Sequence, residues 1–391
     1  MPWKDVRPMD EKNRLINEWL KHEYTVTDLS EFYGISRKTV HKWINRFKIK
    51  GRDALKDLSH KPHLSPRATP REIVDKIILI KLQHKYWGPK KIIAWLKRHE
   101  PDRTWPVAST AGVILKREGL VNKRPIRHHT PPYTEPLQSC TKPNDVWSMD
   151  FKGQFRMLDD RRCYPFTVTD NFSRYLLICE GMLHPTYENT KPHLEKAFRK
   201  YGLPLAMRND NGAPFASVGL GGISKLSVWL IKLWIIPERI APGHPEQNPR
   251  HERMHRCLKE ETTKPPKANL KQQQKAFDCF IKEYNTERPH EALDFAVPAS
   301  YYSLSNRIYP DQLPEIEYGP CYVVRQVRSN GEIRWRGNPI YIHKALIGER
   351  VGLRQISDNQ WLVMFSFYPL GILDQRVNKI TSFTKRMAGK V

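Results

Sequence analysis

Four carboxylates in the middle of the chain have the residue types and neighbours that metal-dependent chemistry needs. Asp150 lies in the string VWSMDFKG and Asp210 in RNDNGAPF, both in or at the end of runs with strand composition. Glu246 and Glu252 follow in PEQNPRHERMH. Three carboxylates that meet repel one another unless cations neutralise them, and oxygen ligands favour Mg²⁺ or Mn²⁺. Two such ions about 4 Å apart can activate a nucleophile and stabilise the leaving oxygen of a phosphodiester.

The elements predicted around these carboxylates would bring two of them together. VWSMDFKGQFRML, RCYPFTVTDNFS and RYLLICEGML predict a three-strand meander, PLAMRND predicts a fourth strand ending at Asp210, and IIPERI predicts a fifth. YENTKPHLEKAFRKYG predicts a helix that ends at Gly202, ISKLSVWLIKLW predicts another, and the segment from Asn248 predicts a third. This order predicts a mixed sheet flanked by helices, with Asp150 and Asp210 at one edge.

The N-terminal segment predicts a helix-turn-helix. Residues 11–22 have helical apolar spacing, Thr27 is predicted to cap a short helix, and Gly34 is predicted to end it with a positive φ. Ser36 is predicted to cap a second helix over 37–47, with the core positions Leu29, Ile35, Val40 and Ile44. The outer face of that helix is basic and suits the major groove of DNA. An ordinary helical hairpin with a solvated basic face is the alternative.

Two further regions have their own patterns. Residues 73–82 have helical spacing, Pro89 is predicted to begin a helix, and Ser109 is predicted to cap another that ends at Gly119, which indicates a second helix-turn-helix-like module. Near the C-terminus, CYVVRQV and IRWRG flank a predicted hairpin turn at 329–331. Five or six short strands in this region predict a small barrel.

The predicted fold class is therefore multidomain: all-α helix-turn-helix modules, a central α/β mixed sheet and a C-terminal small all-β barrel. The predicted boundaries are 1–55 for the helix-turn-helix domain, 56–70 for a linker, 71–121 for the second module, 122–145 for a linker, 146–302 for the core with the mixed sheet, 303–318 for a linker and 319–391 for the barrel.

Composition narrows the class of partner. The chain has 391 residues and a net charge of +25, and its first 130 residues hold 29 Lys plus Arg against 14 Asp plus Glu. So basic a chain favours a polyanion, and nucleic acid is the first candidate. Its six cysteines form no CxxC pair, and its longest apolar run is too short to span a bilayer. These features predict an intracellular, soluble protein with no membrane association.

Six ordered strings resemble motifs of the DDE transposases and retroviral-type integrases, in particular the bacterial insertion-sequence transposases with an integrase core. They are WSMDFKG, TDNFSRYLL, NDNGAPF, HPEQN, HERMHRCLKEE and YNTERPHEAL, and with the helix-turn-helix they span about residues 10 to 300. The resemblance implies an RNase H-like fold for the integrase catalytic core over residues 146–302, and cleavage and strand transfer at element ends. It also implies double-stranded DNA as partner, a homo-oligomeric synaptic complex, and a bacterial cytoplasmic, nucleoid-associated location.

The family pattern favours Glu252 as the third carboxylate. Glu246 follows Asp210 after a gap of 35 residues, which the family often shows, but it lies in PGHPEQNP, where glycine and prolines forbid a helix. The family carries its third carboxylate on a helix, in strings such as ERMHRCLK, which holds Glu252 after a gap of 41 residues. Arg256 and Lys259 share a helix face with it, where cations would meet DNA phosphates.

The predicted catalytic and metal-binding residues are Asp150, Asp210 and Glu252, with two Mg²⁺ or Mn²⁺ ions. The predicted DNA contacts are Arg37, Lys38, Thr39, His41, Lys42, Arg46, Asn248, Arg256 and Lys259. Asp170 is predicted to be structural. His251 and His255 are predicted to lie at the surface or near DNA, because no third zinc ligand is evident. Arg288 and His290 could contact DNA or anchor a turn.

The predicted function is a DNA transposase that binds element ends and catalyses Mg²⁺-dependent 3′-end cleavage and strand transfer by direct transesterification. The alternative is a catalytically inactive DNA-binding protein or regulator derived from a transposase. Pro249, Trp234 and Ala241 depart from residues common in the family and leave that alternative open. A nuclease acting on RNA–DNA hybrids is a second rival, against which the duplicated helix-turn-helix argues.

Overall fold

Two units divide the chain, Met1–Ala68 and Thr69–Val391. The structure is a computed structural model, and it describes residues 8–57, 68–121, 139–210, 214–215, 220–240 and 249–382. None of the helices in these ranges is long and apolar enough to cross a membrane.

Three helices form the first unit: α1 (Pro8–Leu20), α2 (Val26–Phe32) and α3 (Arg37–Lys50). They enclose an apolar core of buried side chains, Leu15, Ile16, Leu29, Val40, Trp43, Ile44 and Leu55. Three of the four predicted core positions are in this set, and the fourth, Ile35, packs against it. α3 continues three residues beyond its predicted end, with basic residues in its last turn as the helix dipole favours.

The cap of α2 corrects the sequence prediction. Thr25, not Thr27, precedes the helix: its hydroxyl accepts the Asp28 N–H at 3.3 Å, and the Asp28 carboxylate accepts the Thr25 N–H at 2.8 Å. This reciprocal capping box satisfies two free amide donors, so Thr27 lies inside the helix. Gly34 has the predicted positive φ of 62°, and the Ser36 hydroxyl caps α3 as predicted.

The second helical module belongs to the second unit. It consists of α4 (Arg71–Gln83), α5 (Pro89–His99) and α6 (Ala108–Arg117). Pro89 begins α5 as predicted. The prediction that Ser109 caps α6 is wrong. The helix begins at Ala108, so Ser109 lies inside its first turn, and no side chain caps it.

A mixed sheet flanked by helices follows, as predicted. Its elements are β1 (Val146–Phe151), β2 (Phe155–Arg156), β3 (Arg162–Asp170), β4 (Leu176–Met182), α7 (Tyr187–Tyr201), β5 (Ala206–Asn209), α8 (Lys225–Lys232), β6 (Ile236–Arg239), α9 (Pro249–Thr262) and α10 (Leu270–Thr286). The strand order is β2-β3-β1-β5-β6, with β4 paired to β3. The predicted meander pairs antiparallel, whereas β1, β5 and β6 run parallel.

Helix α8 is apolar around most of its circumference because it packs on two sides. Leu226, Trp229 and Leu230 belong to the core of the mixed sheet, whereas Val228 and Ile231 pack into the core of the C-terminal strands. A helix buried on both sides needs apolar residues outside a single stripe. α8 therefore joins the mixed sheet to the C-terminal region.

Trp234, a departure from the family pattern, has a positive φ of 56°. Glycine adopts this backbone conformation at the least cost, whereas a tryptophan bears backbone strain in it. The indole ring stacks on Phe367 of the C-terminal region, with centroids 5.3 Å apart. The substitution thus accepts backbone strain and gains an aromatic contact.

The C-terminal region contains β7 (Val323–Gln326), β8 (Glu332–Trp335), β9 (Asn338–Tyr341), β10 (Arg350–Ser357), β11 (Gln360–Phe365), β12 (Tyr368–Asp374) and β13 (Lys379–Ser382). Strand β7 and the last four strands form one sheet in the order β13-β12-β11-β10-β7, and β8 pairs with β9. The predicted small barrel is not confirmed, because the described strands do not close into one sheet. The predicted hairpin is wrong as well: Gly331 makes the turn, but the strand before it pairs with β10.

The predicted linker 303–318 has no helix or strand and lies on the mixed-sheet domain. Tyr309 is buried in the core, and the Arg307 guanidinium donates to the carbonyl oxygens of Leu233 and Trp234 at 2.9 Å each. The predicted linkers 56–70 and 122–145 fall largely outside the described residues. The domain boundaries stay predictions.

Candidate active site

The parallel pairing of β1 and β5 aligns two of the predicted carboxylates. Val146 lies beside Ala206 and Ser148 beside Arg208. The same register, continued by two residues, sets Asp150 in β1 level with Asp210, which directly follows β5. The expected meeting of these two carboxylates at one edge of the sheet therefore follows from strand pairing.

Glu252 completes the group from α9, which packs against β1. The pKa of Asp150 is raised to about 7, first by burial and then by the negative charges of Asp210 and Glu252. Both charges must be close to Asp150 to have this effect. Among the described residues, the structure thus brings the three predicted carboxylates together. Glu246 lies outside the described residues.

The two sides of α9 differ in chemistry. Glu252, Arg256 and Lys259 are exposed on one side, in the predicted i, i+4, i+7 arrangement. Met254 and Leu258 are buried on the other, in the core beneath the helix. Packing of the apolar side of α9 thus fixes the position of Glu252. The charged side of the helix stays open to a polyanion.

The prediction of surface positions for His251 and His255 is wrong, because both are buried. His251 Nδ1 lies 2.8 Å from the Thr169 hydroxyl and His251 Nε2 2.8 Å from the Thr167 hydroxyl. His255 Nε2 lies 2.7 Å from the same Thr167 hydroxyl, which also donates to the Asp150 carbonyl oxygen at 3.1 Å. Burial lowers the pKa of both imidazoles, that of His251 to about 3, so both are neutral.

This hydrogen-bonded group excludes one metal-binding arrangement and suggests another role. Asp150, His251 and His255 are close enough to hold an ion, but both nitrogens of His251 and one of His255 are already bound to hydroxyls. The remaining nitrogen, His255 Nδ1, lies 3.7 Å from Asp150 Oδ2. Through the Thr167 hydroxyl, β3 and α9 hold the backbone of Asp150 in place.

Thr167 and Thr169 were not identified from the sequence. They alternate with Val168 in the string FTVTD of β3, so both point to the same face of the sheet. Two threonines at that period in the buried half of a strand need polar partners, which α9 supplies. That pattern was the available signal.

Asp170 has the structural role predicted for it. It is buried, with one carboxylate oxygen accepting the Asn144 N–H at 2.9 Å. Its other oxygen accepts the Ser173 N–H and hydroxyl at 2.7 and 2.5 Å. These bonds fix the turn after β3 and occupy both oxygens.

Arg288 and His290 lie inside the fold. Arg288 is 4% exposed, pairs with Glu261 and donates to Cys257 Sγ at 3.1 Å. His290 is half-buried, and its ring meets that of Tyr284 edge-on at 4.7 Å. Of the two alternatives for Arg288, anchoring matches these contacts.

The predicted DNA contacts of α3 differ in exposure. Arg37, Lys38, His41 and Lys42 are exposed, and none of the four has an ion pair with a described residue. Thr39 and Arg46 are half-buried. The Thr39 hydroxyl bonds with that of Ser36, and the Arg46 guanidinium lies 5.0 Å from the ring centroid of Trp43. Asn248 lies outside the described residues.

Family models match most segments of the chain. Two models described as integrase core domain match residues 140–245 and 234–298. A helix-turn-helix domain matches residues 11–63 and a homeodomain-like domain 39–115. The C-terminal domain of IS481 family transposases matches residues 322–381.

Two curated relatives come from bacterial insertion elements. The chain is 25% identical to the insertion element IS407 uncharacterized 31.7 kDa protein of Burkholderia multivorans (strain ATCC 17616 / 249), over 57% of this chain and 78% of that protein. It is 28% identical to the insertion element IS476 uncharacterized 39.2 kDa protein of Xanthomonas euvesicatoria, over 46% of this chain and 49% of that protein.

Two solved structures share 16% identity with the chain. The HTLV-2 integrase catalytic core domain, in complex with magnesium, aligns with 42% of this chain and 99% of its own at a TM-score of 0.34. The simian T-cell lymphotropic virus intasome in complex with PP2A regulatory subunit B56 gamma aligns with 75% of this chain and 97% of its own, at a TM-score of 0.38. These scores are low, so the class rests on the domain matches.

The matched domains define a DDE transposase/integrase, a polynucleotidyl transferase with an integrase core and helix-turn-helix DNA-binding domains. Within that class the C-terminal match is to the IS481 family transposases, and the two relatives come from insertion elements.

Proposed function

We propose that this transposase binds the ends of its insertion element and catalyses metal-dependent 3′-end cleavage, followed by strand transfer into target DNA. The observation that carries this proposal is the convergence of Asp150, Asp210 and Glu252 from β1, the end of β5 and α9. Arg256 and Lys259, exposed on the same side of α9, would bind the phosphates on either side of the reacting one.

The donor set fits divalent metal. All three side chains offer carboxylate oxygens, and burial together with the charges of Asp210 and Glu252 raises the pKa of Asp150, so that a bound cation would favour its ionised form. Asp150, Asp210 and Glu252 would hold Mg²⁺ or Mn²⁺, and we propose two ions. Bound there, the metal would supply Lewis-acid stabilisation of the phosphoryl oxygens and a more acidic attacking oxygen.

The reaction consists of two in-line displacements at phosphorus. A water oxygen attacks the phosphodiester at the element end, the bond to the 3′ oxygen breaks, and a 3′-hydroxyl and a 5′-phosphate result. That 3′-hydroxyl then attacks a target phosphodiester, forms the new bond and releases a target 3′-hydroxyl. No covalent bond to the protein forms. We propose that two or more copies hold both ends in a synaptic complex.

The test is nicking of an oligonucleotide that carries the terminal sequence of the element. Wild-type chain should nick it with Mg²⁺ or Mn²⁺ and not with a chelator. Asp150→Asn and Asp210→Asn should lose nicking and keep end binding. Asp311→Asn is the matched control, because that side chain is 98% exposed. End binding by the wild type without nicking would instead favour the inactive regulator.

A further inference from the structure

A pocket of about 230 Å³ lies beside α9 on a side that does not carry Glu252. Four arginines line it: Arg174, Arg250, Arg253 and Arg288. They come from the turn after β3, from α9 and from the segment after α10, three separate parts of the chain. Successive helix residues are rotated by about 100°, so Arg253 faces roughly a quarter-turn away from Glu252.

Positive charge exceeds negative charge in this pocket, because four arginines share its lining with one carboxylate, Glu291, which forms its ion pair with Lys90. Arg174 and Arg250 both donate to one acceptor, the carbonyl oxygen of Asn171, with the Arg250 bond at 2.6 Å. Burial and then the charge of Arg250 lower the pKa of Arg174 to about 10. Across the described parts of the second unit, no ion pair joins Arg174, Arg250 or Arg253 to a carboxylate, whereas Arg288 pairs with Glu261.

A second observation points to a missing ligand. His290 also lines the pocket, and its Nε2 atom is buried with no hydrogen-bond partner in the described structure. A buried polar atom without a partner costs free energy, which a ligand in the pocket would recover. Most of its charged pocket neighbours are guanidinium groups, which can only donate hydrogen bonds, and Glu291 is the one carboxylate in the lining.

We propose that this pocket binds a backbone phosphate of the duplex DNA held at the active site, a phosphate other than the one that reacts. The inference rests on the proposed function. Arginine forks match the oxygens of a phosphodiester, and one chain of successive phosphates can contact the carboxylate side of α9 and this pocket at once. A free phosphate ion would share the oxyanion chemistry but not the link to DNA.

Arg253 gives the cleanest variant, since it is exposed and has no hydrogen bond or ion pair with a described residue. Using the full chain and a terminal-sequence duplex, we expect Arg253→Ala to raise the Kd on the order of tenfold. The slope of log affinity against log salt should fall by about 0.9, the contribution of one phosphate contact. Arg253→Lys should recover most of the affinity, and Arg162→Ala, an exposed arginine on β3, should match wild type.

Cys257 provides a second measurement, because its thiol lines the same pocket and is half-buried. The duplex should slow its alkylation, followed by mass spectrometry, relative to exposed Cys279. If inorganic phosphate, at a concentration below that of the competing salt, protects the Cys257 thiol and DNA does not, the pocket is a free-phosphate site. That result would overturn the proposal.

Wild-type affinity and salt slope in Arg253→Ala would also overturn it. The two proposals fail separately. An Arg253 effect on binding without any nicking leaves the pocket in place and removes the catalytic function. If Arg253→Ala changes neither nicking nor binding, the catalytic function stands and the pocket proposal fails.

Discussion

The two helical modules of this chain have similar sequence patterns and use their basic residues differently. In the first unit, the exposed basic side chains of α3 have no ion pair with a described residue. In the second module, Lys90 pairs with Glu291, His84 with Glu283 at 2.8 Å, and His99 with Glu287 at 3.3 Å. All three glutamates belong to α10 or to the segment that follows it.

The difference shows that a basic helical pattern does not by itself indicate a DNA-binding surface. The charges of α5 are partly neutralised by the integrase core, and they attach the module to it. Those of α3 are free to meet a polyanion. Exposure and ion pairing, which sequence spacing does not reveal, separate the two uses.

Acid should distinguish the two units most strongly. The second unit holds His251, His255 and His290 with lowered pKa values, about 3 for His251 and His290, because burial disfavours the charged form. The unfolded imidazoles titrate near 6.5, so the unfolded state takes up protons first as pH falls. This stabilisation is present above about pH 6.5 and is lost as pH falls toward 3.

We therefore expect these three histidines to cost the second unit a few kcal/mol of stability between pH 7 and pH 5, partly offset by Asp150, whose raised pKa lets the folded state take up a proton in the same interval. The first unit should change little, since its described histidines, His22 and His41, are exposed. Hydrogen exchange in urea, read separately for each unit, measures both. His290→Asn should reduce the pH sensitivity of the second unit, and equal acid sensitivity in the two units would contradict the account.

DNA affinity should separate the two modules next. Replacing Lys38 and Lys42 together by Ala should weaken binding to the terminal duplex by about ten- to a hundredfold, because two cations of the proposed recognition helix are lost. Lys90→Ala removes a cation already paired with Glu291 and should leave affinity near wild type. Gel-shift titrations at fixed salt measure this, and an equal loss in Lys90→Ala would erase the distinction.

The smallest expected effect is on the attachment of the second module. Glu287 accepts the Trp95 indole N–H at 3.2 Å and pairs with His99 and Arg98 at 3.3 and 3.6 Å. Because its side chain is 44% exposed, solvent screens these pairs. Glu287→Ala should cost the second unit about 1 kcal/mol in denaturant unfolding. Glu315→Ala, an exposed glutamate without a described partner, should cost nothing measurable.

The sequence predicted what local signals and family strings determine. The strand and helix order of the core, the start of α5, the end of α7 and the position of Asp150 beside Asp210 follow from composition, caps and the succession of strands and helices. The capping box at Thr25 was readable from its T-x-x-D spacing, although the prediction chose Thr27.

Features that depend on distant segments could not be predicted in this way. The burial of His251 and His255 depends on two threonines more than eighty residues earlier. The arginine pocket joins three segments whose charges look solvent-facing when read alone. Which C-terminal strands pair depends on long-range register, so the hairpin turn was recognised but its strands were not.

The central claim is that Glu252, carried by α9, is the third carboxylate of the active site. The most direct measurement compares metal-dependent nicking of the terminal oligonucleotide by Glu252→Gln and Glu246→Gln, with end binding measured in parallel. Loss of a metal ligand removes several kcal/mol of transition-state stabilisation, so Glu252→Gln should lose more than about a thousandfold in rate while still binding DNA. Glu246→Gln should stay within a few-fold of wild type. The opposite pattern, with Glu246→Gln inactive and Glu252→Gln active, would contradict the account.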